Sequence, residues 1–137
     1  MIELKILKQM AKILIIDDDV LNSKIFSTKL EAENNEVVFC SDGNSAKEKL
    51  QNKYDVILLD IMVPQIDGIT LLDEAKKGIN SSTSVIVLTN LLSEDTKKQC
   101  LDKGAKEYLI KADFTPTQLL EKLRNYLPAP ATSSSNP

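Results

Sequence analysis

The polar residues best suited to chemistry follow short apolar runs of the sequence. Asp17 and Asp18 follow the first such run, Asp60 follows the third, Thr89 follows the fourth and Lys111 follows the fifth. Three carboxylates held close together repel one another unless a cation lies between them. Mg²⁺ suits that place, because it binds a few carboxylates and keeps positions for water and phosphate oxygens.

This set of groups predicts chemistry at a phosphoryl group. Mg²⁺ beside a carboxylate can neutralise phosphoryl oxygens, so Asp60 is a candidate nucleophile that would form an acyl phosphate. Lys111 would supply a second positive charge, and Thr89 a hydrogen bond to a phosphoryl oxygen. Each residue alone also has a simpler interpretation as a helix cap, a turn residue or a solvated charge. The prediction therefore depends on their joint placement.

Five apolar runs alternate with five mixed segments, and this order predicts how the polar residues are positioned. The runs are 13–16, 37–40, 56–59, 85–88 and 108–110, and most are uninterrupted, which is typical of parallel strands covered on both faces. Strand–helix alternation with short connections predicts right-handed βαβ units. We therefore expect a doubly wound α/β fold with the candidate residues at the carboxyl edge of its sheet, where such folds bind ligands.

The mixed segments predict helices with recognisable ends. Asp19 is assigned as the N-cap of the first helix, with Leu21, Ile25 and Leu30 on its inner face. Ser93 and Gly104 mark the start and end of the fourth helix. The clearest start is Thr115, which is followed by proline and, three residues on, by glutamine, the pattern of a capping box.

Composition limits the possible classes of protein. The chain has 137 residues, enough for one domain, and a net charge of -3, which argues against a nucleic-acid surface. It has no histidine, which excludes histidine catalysis and the usual zinc sites. Cys40 and Cys100 form no metal-type pair and suggest reduced thiols, and no apolar run approaches the ~20 residues that span a bilayer. We expect a cytoplasmic protein without a membrane or direct nucleic-acid partner.

The domain organisation predicted from composition has three parts. Residues 1–10 read as an N-terminal extension, residues 11–127 as the folded domain, and residues 128–137 as a flexible tail rich in proline and serine.

Four stretches of the sequence resemble the receiver domains of bacterial response regulators, including the single-domain CheY-like chemotaxis type. They are IIDDD at 15–19, LLDIMVPQIDG at 58–68, LT at 88–89 and YLIK at 108–111. The resemblance covers roughly residues 11–127. It implies a five-stranded parallel sheet in the flavodoxin-like order 2-1-3-4-5, with helices on both faces.

The resemblance also implies a metal site and a phosphoacceptor. It makes Asp60 the residue that receives the phosphoryl group and Asp18 a direct Mg²⁺ ligand, with Asp17 acting alongside it or through water. The backbone carbonyl of Met62 resembles the third protein ligand.

Further roles follow from the same resemblance. Thr89 and Lys111 would contact the phosphoryl group, and Tyr108 would turn inward when Thr89 is drawn toward it. The implied phosphoryl donor is a sensor histidine kinase or a phosphotransfer protein. The implied downstream partner is a protein that binds the face formed by helix 4, strand 5 and helix 5, and a phosphorylation-linked dimer is compatible with this scheme. Such a protein catalyses its own phosphorylation and dephosphorylation and is not an enzyme toward other substrates.

Two residues depart from the family pattern. The family places proline after the lysine, with a cis bond between them, whereas this chain has Ala112. A cis bond before a residue other than proline costs about 3 kcal/mol. The family favours a small residue after Thr89, whereas this chain has the larger, polar Asn90.

Two other functions remain open on the sequence. One is a protein-interaction module that keeps the receiver fold and works without phosphorylation. The other is a Mg²⁺-dependent phosphatase of the haloacid dehalogenase type, because Asp17, Asp18 and Asp19 mimic its DxD motif. In that family the nucleophile lies on the first strand, and Leu21 stands where threonine or valine is expected.

Overall fold

The computed structural model describes residues 11–128, so the predicted extension and nearly all of the predicted tail lie outside the described residues. Within them, a five-stranded parallel sheet has the order β2-β1-β3-β4-β5, which confirms the predicted topology. The strands are β1 (Lys12–Ile16), β2 (Glu36–Cys40), β3 (Val56–Leu59), β4 (Ser84–Thr89) and β5 (Glu107–Ile110).

Five α-helices connect and follow the strands. They are α1 (Val20–Ala32), α2 (Gly43–Lys49), α3 (Gly68–Ala75), α4 (Glu94–Asp102) and α5 (Pro116–Leu123). Short 3₁₀ helices occupy Gly78–Asn80, Lys111–Asp113 and Arg124–Tyr126. In the part of the chain that the structure describes, no helix is long and apolar enough to cross a membrane.

The two faces of the sheet form two separate hydrophobic cores, as expected of a doubly wound fold. Alternate strand residues point to opposite faces. Leu14 of β1 packs with Leu72 of α3 on one face, whereas Ile13 packs with Phe26 of α1 and Leu123 of α5 on the other. Both faces of the central strands are therefore buried, which explains their uninterrupted apolar sequences.

Side-chain caps determine where the helices begin. The predicted caps Asp19, Ser93 and Thr115 each accept a hydrogen bond from a backbone N–H in the first turn of their helix. The capping box at Thr115 is complete, because the side chain of Gln118 returns a bond to the Thr115 N–H. Gly104 adopts the left-handed conformation predicted for the end of α4, with a φ of +106°.

The predicted inner face of α1 is wrong for two of its three residues. Leu30 is buried, but Leu21 and Ile25 are exposed. The helix instead turns Ser23 and Phe26 inward, seven and four residues before Leu30 and thus on the same face. Because the buried Ser23 is polar, the apolar pattern of the sequence does not reveal the true inner face. The predicted face is therefore rotated by part of a turn from the observed one.

Candidate functional site

The acidic residues that follow β1 and β3 meet at the carboxyl edge of the sheet. Ile16 and Leu59 are the last paired residues of these adjacent strands, and the Asp60 N–H donates to the Ile16 carbonyl at 2.9 Å. Carboxylate oxygens of Asp17, Asp18 and Asp60 lie within 4.8 Å of one another. Asp17 and Asp60 are buried and Asp18 is exposed, so the cluster opens to solvent on one side.

Lys111 brings a positive charge to the two buried carboxylates. Its Nζ lies 2.7 Å from Asp60 Oδ2 and 2.9 Å from a carboxylate oxygen of Asp17. Burial alone would lower the pKa of Lys111, but its hydrogen bonds to the two aspartates and their charges outweigh burial and raise it. The ammonium group therefore stays protonated in the site.

The Asp17 carboxyl group is in a less favourable environment for its charged form than the Lys111 ammonium group is. Burial is the largest influence on its carboxyl group and raises its pKa, against the lowering effects of Lys111 and the Asp19 N–H. The charge of Asp60 raises the pKa further. A divalent cation would relieve both effects, and a set of neighbouring carboxylates is the donor chemistry that Mg²⁺ prefers. The residues present thus fit a magnesium site.

The loop between β3 and α3 is held close to the acidic cluster. The Met62 N–H donates to Asp60 Oδ1 at 2.9 Å, which orients the carboxylate. A Cβ at Gly68 would lie 2.2 Å from the Ile61 carbonyl oxygen, so α3 packs against this loop more closely than any side chain would permit. The Gly43 N–H at the start of α2 donates to the Pro64 carbonyl at 2.9 Å. The loop is therefore fixed from both sides.

The predicted switch residues contact the same residue of the loop between β4 and α4. Thr89 is fully buried, and its Oγ1 accepts from the Leu91 N–H at 3.3 Å. The Tyr108 hydroxyl donates to the Leu91 carbonyl at 2.7 Å, and the tyrosine is buried. Tyr108 is thus turned inward in this structure, and Leu91 links it to Thr89.

Asn90 and Ala112, the two residues that depart from the receiver pattern, are in contact with each other. No peptide bond among residues 11–128 is cis, so the bond between Lys111 and Ala112 is trans. The Ala112 N–H donates to Asn90 Oδ1 at 3.1 Å. Sequence reasoning treated the two positions separately. The available signal was that Asn90 and Lys111 follow the ends of adjacent strands.

A cavity of about 140 Å³ lies below the acidic site, between the sheet and the helices α1 and α5. Asp17 and Lys111 line it on the side of the site, and apolar side chains such as Phe26 and Leu119 line the remainder. Ser23 also lines it, and its buried hydroxyl has no hydrogen-bond partner among the described residues.

The structure brings most of the candidate residues together. Asp17, Asp18, Asp60 and Lys111 form one cluster. Thr89 is paired with Ile110, the residue before Lys111, and so stands beside the cluster. Met62 contacts Asp60 through its N–H, and the role of its carbonyl as a metal ligand stays a prediction.

Comparison with known proteins supports the resemblance to receiver domains. The sequence pattern of the response regulator receiver domain matches residues 13–124. Response regulator ArlR of Staphylococcus saprophyticus is 36% identical over 119 residues, which cover 86% of this chain and 53% of that protein. This chain therefore spans about half the length of that relative.

Solved structures show the same fold. A CheY-like receiver domain protein of Methanospirillum hungatei superimposes with a TM-score of 0.79 at 30% identity, covering 85% of this chain and 93% of that one. The receiver domain of the sensor histidine kinase PA1611 of Pseudomonas aeruginosa has a TM-score of 0.74 at 25% identity, over 86% and 98% of the two chains. That crystal structure has a magnesium ion coordinated in its active-site cleft. Sequence, topology and the arrangement of the acidic edge together show that the chain belongs to the response regulator receiver domain family of two-component signalling systems.

Proposed function

We propose that this domain accepts a phosphoryl group on Asp60 in a Mg²⁺-dependent reaction and thereby switches between two conformations. The observation that carries the proposal is the position of the Asp60 carboxylate. It is buried among two further carboxylates, and it lies 2.7 Å from the Lys111 ammonium. A nucleophilic carboxylate, a cation-binding cluster and a fixed positive charge thus meet at one point.

The chemistry assigned to these residues is a phosphoryl transfer. A carboxylate oxygen of Asp60 forms a bond to phosphorus while the bond between phosphorus and the imidazole nitrogen of a phosphohistidine breaks. The electron pair of that bond stays on the imidazole, which takes a proton from solvent. Lys111 balances charge on the phosphoryl oxygens. The Thr89 hydroxyl accepts from the Leu91 N–H, so its own proton is free to be donated to a phosphoryl oxygen.

Asp17, Asp18, Asp60 and the Met62 carbonyl would hold the magnesium ion. When bound, it would neutralise the carboxylates and the phosphoryl oxygens. The chain's own contribution is to place its ligands in advance. The Met62 N–H orients Asp60, and the Asp19 N–H holds Asp17 Oδ1 at 2.9 Å.

The conformational signal would travel through Leu91. Drawing Thr89 toward a phosphoryl group would pull on the Leu91 N–H, and Tyr108 is bonded to the carbonyl of the same residue. Two contacts on one loop residue can bias a two-state equilibrium. The face formed by α4, β5 and α5 is the proposed binding site for a downstream protein and for a phosphorylation-linked dimer. A sensor histidine kinase or phosphotransfer protein in the cytoplasm is the proposed donor.

The decisive experiment is incubation with acetyl phosphate and Mg²⁺, followed by mass spectrometry of the intact protein. The wild type should gain one phosphoryl group, and Asp60→Asn should gain none. Asp102→Asn is the matched control, since Asp102 is an exposed aspartate of α4 whose salt bridge contributes little. An unlabelled wild type would favour the phosphorylation-independent binding module. Sustained hydrolysis that requires Asp17 would favour the phosphatase and contradict the prediction that this domain is not an enzyme toward other substrates.

A further inference from the structure

The hydrogen bond between Asn90 and Ala112 joins the loops that follow β4 and β5. Asn90 Oδ1 accepts from the Ala112 N–H at 3.1 Å. The last paired residues of these two strands are Thr89 and Ile110. The Asn90 side chain therefore adds one link beyond the end of the ladder, and it adds it at the residue that follows Lys111.

This link places Lys111 between two fixed points of the backbone. Ile110 is held by the strand ladder, and Ala112 is held by Asn90. The Phe114 N–H donates to the Lys111 carbonyl at 3.1 Å and so closes the turn that follows. The Lys111 ammonium reaches Asp17 and Asp60 through a flexible four-carbon stem, so a fixed backbone limits the number of side-chain conformations in competition with these contacts.

We propose that Asn90 is a positioning residue for phosphoryl transfer, which acts by holding the Ala112 N–H and so keeping the Lys111 ammonium against Asp60. The inference rests on the proposed function and deepens it. Catalysis of phosphoryl transfer consists mostly of placement and electrostatic stabilisation, so a loosely held charge lowers the rate. The link needs an N–H at position 112, which proline lacks. Asn90 and Ala112 both depart from the family pattern, and they act together as the acceptor and the donor of this one hydrogen bond.

A different role for Asn90 predicts the opposite result. Asn90 is an exposed residue directly after Thr89, so its bulk could limit access to Asp60. If it did, a smaller side chain would speed phosphorylation and a side chain of equal size would leave the rate unchanged. If Asn90 positions Lys111, every side chain without an acceptor oxygen slows the reaction, whatever its size.

The test uses Asn90→Ala, which removes both bulk and acceptor, and Asn90→Leu, which keeps the bulk. The rate of labelling by acetyl phosphate, at fixed donor concentration and saturating Mg²⁺, should fall about threefold to tenfold in both, the range expected for one hydrogen bond. Asn90→Asp keeps an acceptor oxygen and should restore most of the rate. Leu92→Ala, a change at an exposed residue of the same loop, is the control. Wild-type or faster labelling of Asn90→Leu would overturn the proposal.

A second measurement separates positioning from general loosening of the structure. In a Lys111→Met background, adding Asn90→Leu should not slow labelling further, because the group that Asn90 positions is gone. In the otherwise unchanged protein, Asn90→Leu should have the same Mg²⁺ dissociation constant and the same urea midpoint as the wild type. A further loss of rate in the Lys111→Met background would contradict the proposal. If wild type itself is not labelled, the proposed function and this inference fall together; if it is labelled and the Asn90 variants match it, this inference alone falls.

Discussion

The two ends of the parallel sheet each hold buried polar side chains, and the two groups differ in how well they are satisfied. At the end where β3 and β4 begin, Asn80 is completely buried. Its Oδ1 accepts from the Tyr54 N–H at 3.0 Å, and its Nδ2 donates to the carbonyls of Leu50 and Asn52 at 3.0 and 2.8 Å. Thr83 completes the group by donating to the Tyr54 carbonyl at 2.8 Å.

The opposite end carries charge that the protein does not balance. Three carboxylates face one ammonium group, and Asp18 makes no ion pair with any described residue. Buried polar groups with a full set of hydrogen-bond partners stabilise a fold. Buried charges without enough partners lower the stability of the fold unless a bound ligand or ion balances them. The comparison indicates that the first end serves stability, and that the second carries a surplus of negative charge that a cation could balance.

Asn80→Ala should produce the largest change, and it should affect stability alone. It removes the partners of one N–H and two carbonyls in a fully buried position, so we expect a loss of about 3 kcal/mol in the free energy of unfolding. Urea denaturation measures it. Asn125→Ala, a change at an exposed asparagine, should alter stability by no more than about 0.5 kcal/mol. A loss below about 1 kcal/mol for Asn80→Ala would mean that the first group is not a stability centre.

Mg²⁺ should distinguish the two ends of the sheet, because it should stabilise only the end that carries the three carboxylates. At ten times its dissociation constant, the ion should raise the free energy of unfolding of the wild type by about 1.4 kcal/mol. Asp18→Asn should lose most of this increment and, without Mg²⁺, should be at least as stable as the wild type, because one repelling charge is gone. Asn80→Ala should keep the full increment, since distant sites act independently. Equal Mg²⁺ responses in wild type and Asp18→Asn would contradict the assignment of the metal site.

A pair outside both groups should give the smallest effect. The hydrogen bond from Tyr126 to Glu107 is the main cause that raises the pKa of Tyr126 to about 12. The folded state therefore holds this proton more tightly than the unfolded chain does. The contribution to stability is complete below pH 10 and is lost as the pH rises from 10 to 12. Because Tyr126 is partly exposed, solvent screening keeps the effect small.

Tyr126→Phe tests this by removing the titrating group. Urea midpoints of the wild type should fall more steeply than those of Tyr126→Phe between pH 10 and 12. Parallel curves would show that the hydrogen bond to Glu107 contributes nothing to the folded state.

Most of the fold could be predicted because its signals are local. Uninterrupted apolar runs identify buried parallel strands, and the polar residues after them must then share one edge of the sheet. The order of the strands came from the family resemblance. The inner face of α1 could not be predicted, because Ser23 is a polar residue in a buried position. Asn80 and the Asn90–Ala112 bond were also missed, because an asparagine has no pattern that distinguishes a buried partner from a solvated turn residue.

The cavity beneath Asp17 and Lys111 has a consequence for how the domain responds to compression. Internal voids disappear on unfolding, so each void makes the unfolded chain occupy less volume relative to the folded one. This cavity lies between the sheet and the layer formed by α1 and α5 and is partly open to solvent, so only its dry part counts as void volume. Hydrostatic pressure should therefore weaken the packing of α1 and α5 against the sheet by a small amount, beneath Asp17 and Lys111.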